Sequence, residues 1–181
     1  MKAVATSLTC TVALLIGVLP LRAQAFQEFI AVSGPVTALT NAKVIDGTGA
    51  PARTGQTILI EGSRITGVGS NVSIPEGATR VNLAGHTVIP GLIGLHNHSF
   101  YTGGQGRAAQ LSFSGSRLYL ASGVTTIRTT GARAPYEELN LKREIDAGRA
   151  IGPTMFTTGP YLTGDQGSQT MTRLQGPEQA R

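Results

Sequence analysis

The chain is 181 residues long, 40% hydrophobic and 14% charged, with 24 glycines, one cysteine and a formal net charge of +5. Its pI near 9.9 would suit a nucleic-acid binder. However, Arg53, Arg64, Arg80, Arg107, Arg117, Arg128 and Arg133 stand singly, without clusters or interleaved aromatics, so no nucleic-acid partner is expected. A single cysteine, Cys10, excludes a disulfide framework.

The first 25 residues read as an export signal. Lys2 gives a brief cationic start, Val12 to Leu19 form an apolar core, and Ala23-Gln24-Ala25 supply small residues for cleavage. The segment is short for a spanning helix, and Pro20 and Arg22 interrupt it; an uncleaved anchor is the alternative. A lipoprotein reading of Leu8-Thr9-Cys10 is poorer, because the cysteine precedes the apolar core. Cleavage after Ala25 predicts a periplasmic or secreted protein with no stable membrane association, no cysteine and hence no thiol catalysis.

Residues 26–35 read as a linker. Between 36 and 88 the runs TALTNAKVI, TILIEG, SRITGVG and ATRVNLAG alternate apolar and polar residues, with Asp46-Gly47, Gly49 and Pro51 as breakers and Glu61-Gly62 as a tight hairpin turn. This predicts a small sheet of short antiparallel strands, a pattern that also fits an independent β-domain. His86, in the turn AGHT, reads as a solvated turn residue.

From Thr87 to His98 the chain reads TVIPGLIGLHNH. Val88, Ile89, Leu92, Ile93 and Leu95 suit a parallel strand buried on both faces. Side chains at i and i+2 of a strand point the same way. His96 and His98 are therefore expected to project together from the strand's end, close enough to share one cation at roughly 2.0–2.1 Å, with Gly94 on the same side. An HxH pair is equally compatible with surface or hydrogen-bonded imidazoles.

After His98, SFYTGGQGRAAQ reads as a flexible glycine-rich loop; it lacks the GxxxxGK[ST] order of a phosphate loop. Tyr101 either orients a substrate or packs. A helix is predicted from Ser114 to Ser122, with Leu118 and Leu120 as core contacts and Gly123 as its stop. GVTTIRTTG is a β-branched strand ending near Arg128, which either meets a substrate carboxylate or forms an ion pair. Pro135 starts a second helix, with Glu137 and Glu138 at its positive end and Gly148 beyond its close. A third strand, TMFTTG, follows Pro153. Strands alternating with helices at this spacing predict parallel, right-handed units. The ending, GDQGSQTMTRLQGPEQAR, is polar and shows neither a cap nor a strand.

KVIDGTG, ILIEGSRITGVG and VIPGLIGLHNH together resemble the opening of the amidohydrolase superfamily, in its imidazolonepropionase- and prolidase-like branch. ASGVTTIRTTG and DAGRAIGPTMFTTGPYLTG resemble that family's second and third barrel strands. The resemblance implies an α/β fold in which part of a small β-sandwich (36–88) leads into the first three units of a (β/α)8 barrel (89–181). It also implies that His96 and His98 are metal ligands, for one or two divalent ions in the complete protein, with zinc the metal that imidazole favours. Tyr101 and Arg128 become candidates near the substrate, because loops after barrel strands form the catalytic face.

One departure stands out. The family most often has Asp two residues before the first histidine, where this chain has Gly94, so another partner must fix the histidines. The family's bridging lysine, two further histidines and essential aspartate would lie beyond Arg181, so no catalytic residue is assigned. A whole barrel needs roughly 250 residues, and this chain is expected to be an inactive fragment on its own.

The activity implied is hydrolysis of C–N bonds in a small molecule, such as an amide, a cyclic amide or a dipeptide-like substrate, by metal-activated water. A non-catalytic amidohydrolase-like scaffold is the alternative, with slight support from Gly94. A free-standing β-module fits poorly with the parallel units after His98.

Overall fold

The computed structural model describes residues 29–102, 108–164 and 172–180. The strands and helices described here belong to one compact unit, Gly34–Arg181. The expected export signal, 1–25, lies outside the described residues. Among the described residues no helix is long and apolar enough to cross a membrane.

Alternating runs build the first sheet from β1 (Val36–Val44), β2 (Arg53–Glu61), β3 (Arg64–Gly69), β4 (Thr79–Asn82) and β5 (Thr87–Val88). The order is β3-β2-β1-β4, with β5 also on β1. Glu61 pairs with Arg64 across a two-residue turn, and Gly62 supplies the left-handed φ of +57° that the turn requires. β1 and β2, and β2 and β3, are antiparallel as expected. β4 and β5, by contrast, run parallel to β1. The reason is connectivity: residues 70–78 carry the chain from β3 back across the meander to the far side of β1, where it re-enters in β1's direction. Ala42, Val44 and Ile58 form the buried core of this sheet, with Leu39, Ile60, Leu83 and Val88 packed on it.

TVIPGLIGLHNH is two strands rather than one. β5 ends at Val88 on the first sheet, and β6 (Leu92–Asn97) starts the second. Pro90, which has no N–H to give a ladder, marks the break. Nor is β6 buried on both faces: Ile93 is 64% and Leu95 68% exposed. Among the described residues β6 has a neighbour on one side only, β9 (Val124–Thr129), and β9 in turn pairs with β10 (Thr154–Phe156). All these pairings are parallel, as the strand–helix alternation predicted.

The stretch after His98 is not a plain loop. β7 (Phe100–Thr102) and β8 (Ala108–Gln110) pair antiparallel within it, while the expected flexible residues 103–107 lie outside the described residues. α1 (Ser114–Ala121) stops at Gly123, whose φ is +79°. It does not bury the leucines expected of it. Leu118 is 62% exposed, and the buried residues are Gly115 and Ser116. A Cβ on Gly152 would stand 2.9 Å from that of Ser116, so the helix packs through its small face and closely.

α2 (Pro135–Asp146) opens with Pro135 and is followed by Gly148 at φ +65°. Its Leu141 joins Ile127 of β9 and Met155 of β10 in a second core, with Tyr119, Val124, Ile145 and Ala150 packed around them. Within the polar ending, where no strand was expected, β12 (Thr172–Arg173) forms a short parallel pair with β11 (Leu162–Thr163), which lies just before that ending.

A candidate metal centre at the ends of three strands

Parallel strands deliver their C-terminal ends to one rim, and the two histidines sit there. His96 is the second-last residue of β6, and His98 lies one residue beyond it. Their ring centres are 5.5 Å apart and nearly perpendicular, at 84°. Two imidazoles on one tetrahedral zinc, each at roughly 2.0–2.1 Å, have ring centres about 5.3 Å apart, so the pair fits a shared cation. Among the described residues no group of three or more His, Cys, Asp or Glu side chains converges on such a point.

Simple alternation along β6 is interrupted by a register shift between Gly94 and Asn97. A Cβ on Gly94 would collide with the side-chain amide of Asn97, so that amide fills the space a residue with a side chain would need. The expectation that Gly94 shares one regular face with both histidines is corrected accordingly. Asn97 also reaches across to β9, its Nδ2 donating to the Arg128 carbonyl at 3.5 Å.

His98 is held from several elements. The Tyr119 hydroxyl, from α1, donates to its backbone carbonyl at 2.9 Å. The Tyr161 hydroxyl lies 3.2 Å from its ring Nδ1, and the Phe100 ring lies 4.9 Å from the imidazole centre. Directly after it, Ser99 Oγ donates to Glu138 Oε1 at 2.5 Å and accepts from Gln110 Nε2 at 3.1 Å. Glu138 occupies the first turn of α2 as expected, but its side chain is wholly buried, and its Oε2 has no partner among the described residues. Its task is thus to anchor the segment behind the histidines as well as to suit the helix start.

Of the candidates near the substrate, Tyr101 is exposed on β7 and Arg128 is exposed near the end of β9. Neither makes a ring contact or hydrogen bond with the histidines, and among the described residues Arg128 makes no ion pair. His86 is an exposed turn residue, its Nδ1 3.2 Å from the Ala84 carbonyl. Tyr119, Tyr161 and Glu138 were not anticipated as partners of the site. The available signal was Tyr161's place just after the third strand, in GPYLTG.

No family model matches the chain. It is 37% identical over 60 residues to the imidazolonepropionase of Vibrio cholerae serotype O1, a match covering 33% of this chain and 15% of that protein. It is 29% identical over 103 residues to the imidazolonepropionase of Streptomyces griseus, covering 56% of this chain and 26% of that one. A crystal structure of a Bifidobacterium longum protein, provisionally assigned as a prolidase, superposes with a TM-score of 0.67 at 31% identity, over 80% of this chain and 36% of its own. The chain therefore spans about a third or less of the length of these relatives. Over the stretch so matched, sequence and architecture place it in the amidohydrolase superfamily, in the branch of the imidazolonepropionases and prolidases.

Proposed function

We propose that the chain is part of an exported, metal-dependent amidohydrolase that hydrolyses a C–N bond in a small molecule, whether an amide, a cyclic amide or a dipeptide-like substrate. One observation carries this reading: two imidazole rings 5.5 Å apart at the end of β6, on the rim where β9 and β10 also end. We read β6, β9 and β10 with their helices as the first three units of a (β/α)8 barrel, and the first sheet as part of the accompanying small β-sandwich. Active sites of such barrels gather at the C-terminal ends of the strands.

His96 and His98 would hold the metal, and two imidazoles favour zinc. When bound, a divalent metal supplies Lewis-acid polarisation of a substrate carbonyl and a more acidic water. Phe100 and Tyr161 crowd the His98 ring, which limits its reorientation. The exposed guanidinium of Arg128 is suited to a substrate carboxylate, since its planar fork of donors matches one in geometry. A non-catalytic scaffold is not favoured, because the matched relatives carry enzyme names.

The test is replacement of each histidine by Ala in the full-length protein, with metal content and turnover measured together. Both quantities should fall in each variant. Metal content unchanged in the His96→Ala/His98→Ala double variant would sink the assignment. Export is tested separately by N-terminal sequencing of the exported protein. Phe26 is the expected first residue, and an intact Met1 in the membrane fraction would support an anchor instead.

A further inference from the structure

We infer that Tyr161 is the positioning residue for His98, taking the place of the carboxylate that Gly94 cannot supply. The inference rests on the reading of His96 and His98 as ligands. A ligating imidazole needs its second nitrogen committed to a partner, because that bond fixes both the tautomer and the ring plane. For His98 the partner of Nδ1 is the Tyr161 hydroxyl, at 3.2 Å. Nε2 is then the nitrogen left for a cation, and Nδ1–H donates to the tyrosine oxygen.

The segment that carries the tyrosine is itself fixed by a chain of contacts that continues the pairing of β9 with β10. Thr158 N–H donates to Thr129 Oγ1 at 3.0 Å, and Gly131 N–H donates to Thr158 Oγ1 at 2.8 Å. Ala132 N–H donates to the Gly159 carbonyl at 3.1 Å, and Ala132 bridges to Pro160. These bonds latch the segment after β10 onto the segment after β9. Beyond the latch, the Tyr161 carbonyl accepts from Thr172 N–H at 2.8 Å. Gly131, at φ +80°, leaves open the space that the Tyr161 ring occupies; a Cβ there would collide with Cε1 and Cδ1. The ring is thereby directed at His98, with centres 6.3 Å apart, while Phe100 lies 6.5 Å away and edge-on.

Tyr161→Phe removes the hydroxyl and keeps the ring. In the metal-free full-length protein with 15N-labelled histidine, where no cation fixes the tautomer, the His98 nitrogens should show the Nδ1–H form in the native protein and lose that signature in the variant. Zinc titration should show affinity weakened by about 10–100-fold, with His96→Ala and His98→Ala as references. A variant with native nitrogen shifts and native zinc affinity, beside histidine variants that lose zinc, would overturn the tyrosine's role alone. Histidine variants that keep their zinc would overturn the underlying reading, and this inference with it. Should Tyr161→Phe fail to fold, the native protein freed of metal decides: a protonated His98 Nδ1 close to the Tyr161 ring by nuclear Overhauser contact supports the inference, and a bare Nδ1 overturns it.

Discussion

The two sheets use similar apolar strands to different ends. In the first, Ala42, Val44 and Ile58 bury one another with Leu39, Ile60 and Val88 closing around them, so the sheet supplies most of its own cover. In the second, Ile127 and Met155 are buried through Leu141 of α2, whereas Leu92, Ile93 and Leu95 of β6 and Phe156 of β10 are exposed. An apolar run therefore states that a strand can be buried; the presence of a neighbour decides whether it is. Helices cover one side of the second sheet, and its site lies at the strand ends, beyond either core.

The contrast is sharpest at β9. Ile127→Ala should cost about 2–5 kcal/mol in chemical denaturation of the full-length protein, from lost burial plus a cavity. Ile93→Ala, one strand away, should cost within about 0.5 kcal/mol if it is as exposed there as here. Equal losses at the two positions would break the comparison and show that β6 gains cover elsewhere. In the first sheet, Ala42 is fully buried, so Ala42→Leu should overpack the core and cost about 1–3 kcal/mol by the same measurement. A neutral result would show that this sheet is looser than its contacts imply.

Gly123 closes α1 at φ +79°, with nothing near the position a Cβ would take. Gly123→Ala should thus cost about 1 kcal/mol through the backbone alone, and a stabilised variant would refute that account. The smallest effect concerns Asp46, between β1 and β2. The Thr48 hydroxyl, then the Thr48 N–H, and more weakly Arg53 hold its carboxyl below the usual carboxylate range. A folded pKa below the unfolded one gives stability that is present above the unfolded value and is lost as pH falls through the folded value. Because the group is exposed, the contribution is slight. Thr48→Val should raise the Asp46 midpoint in an NMR titration, and an unmoved midpoint would remove Thr48 as the cause.

What could be read from sequence was local. Gly62 in its turn, Gly123 after α1, and Pro135 and Gly148 around α2 each act within a few residues, and each is where its chemistry predicted. The parallel order of β6, β9 and β10 was also legible, because alternating strands and helices admit few arrangements. The parallel placement of β4 and β5 was not, since short strands carry no mark of their partner. The surroundings of the histidines were hidden for the same reason. Tyr161 is 63 positions from His98 and Glu138 is 39 from Ser99, and nothing near either acidic or aromatic residue announces the contact. For Leu118 and Leu120, the expectation rested on the large apolar side chains themselves, but Gly115 and Ser116 won the interface by allowing a closer approach.

The shared volume of positions 94 and 97 constrains how this site can evolve. Asn97 occupies the space above Gly94, so a carboxylate introduced at 94 meets an amide already seated there. The effect of a side chain gained at 94 therefore depends on the residue at 97. An aspartate at 94 requires the Asn97 amide to turn aside or to be replaced.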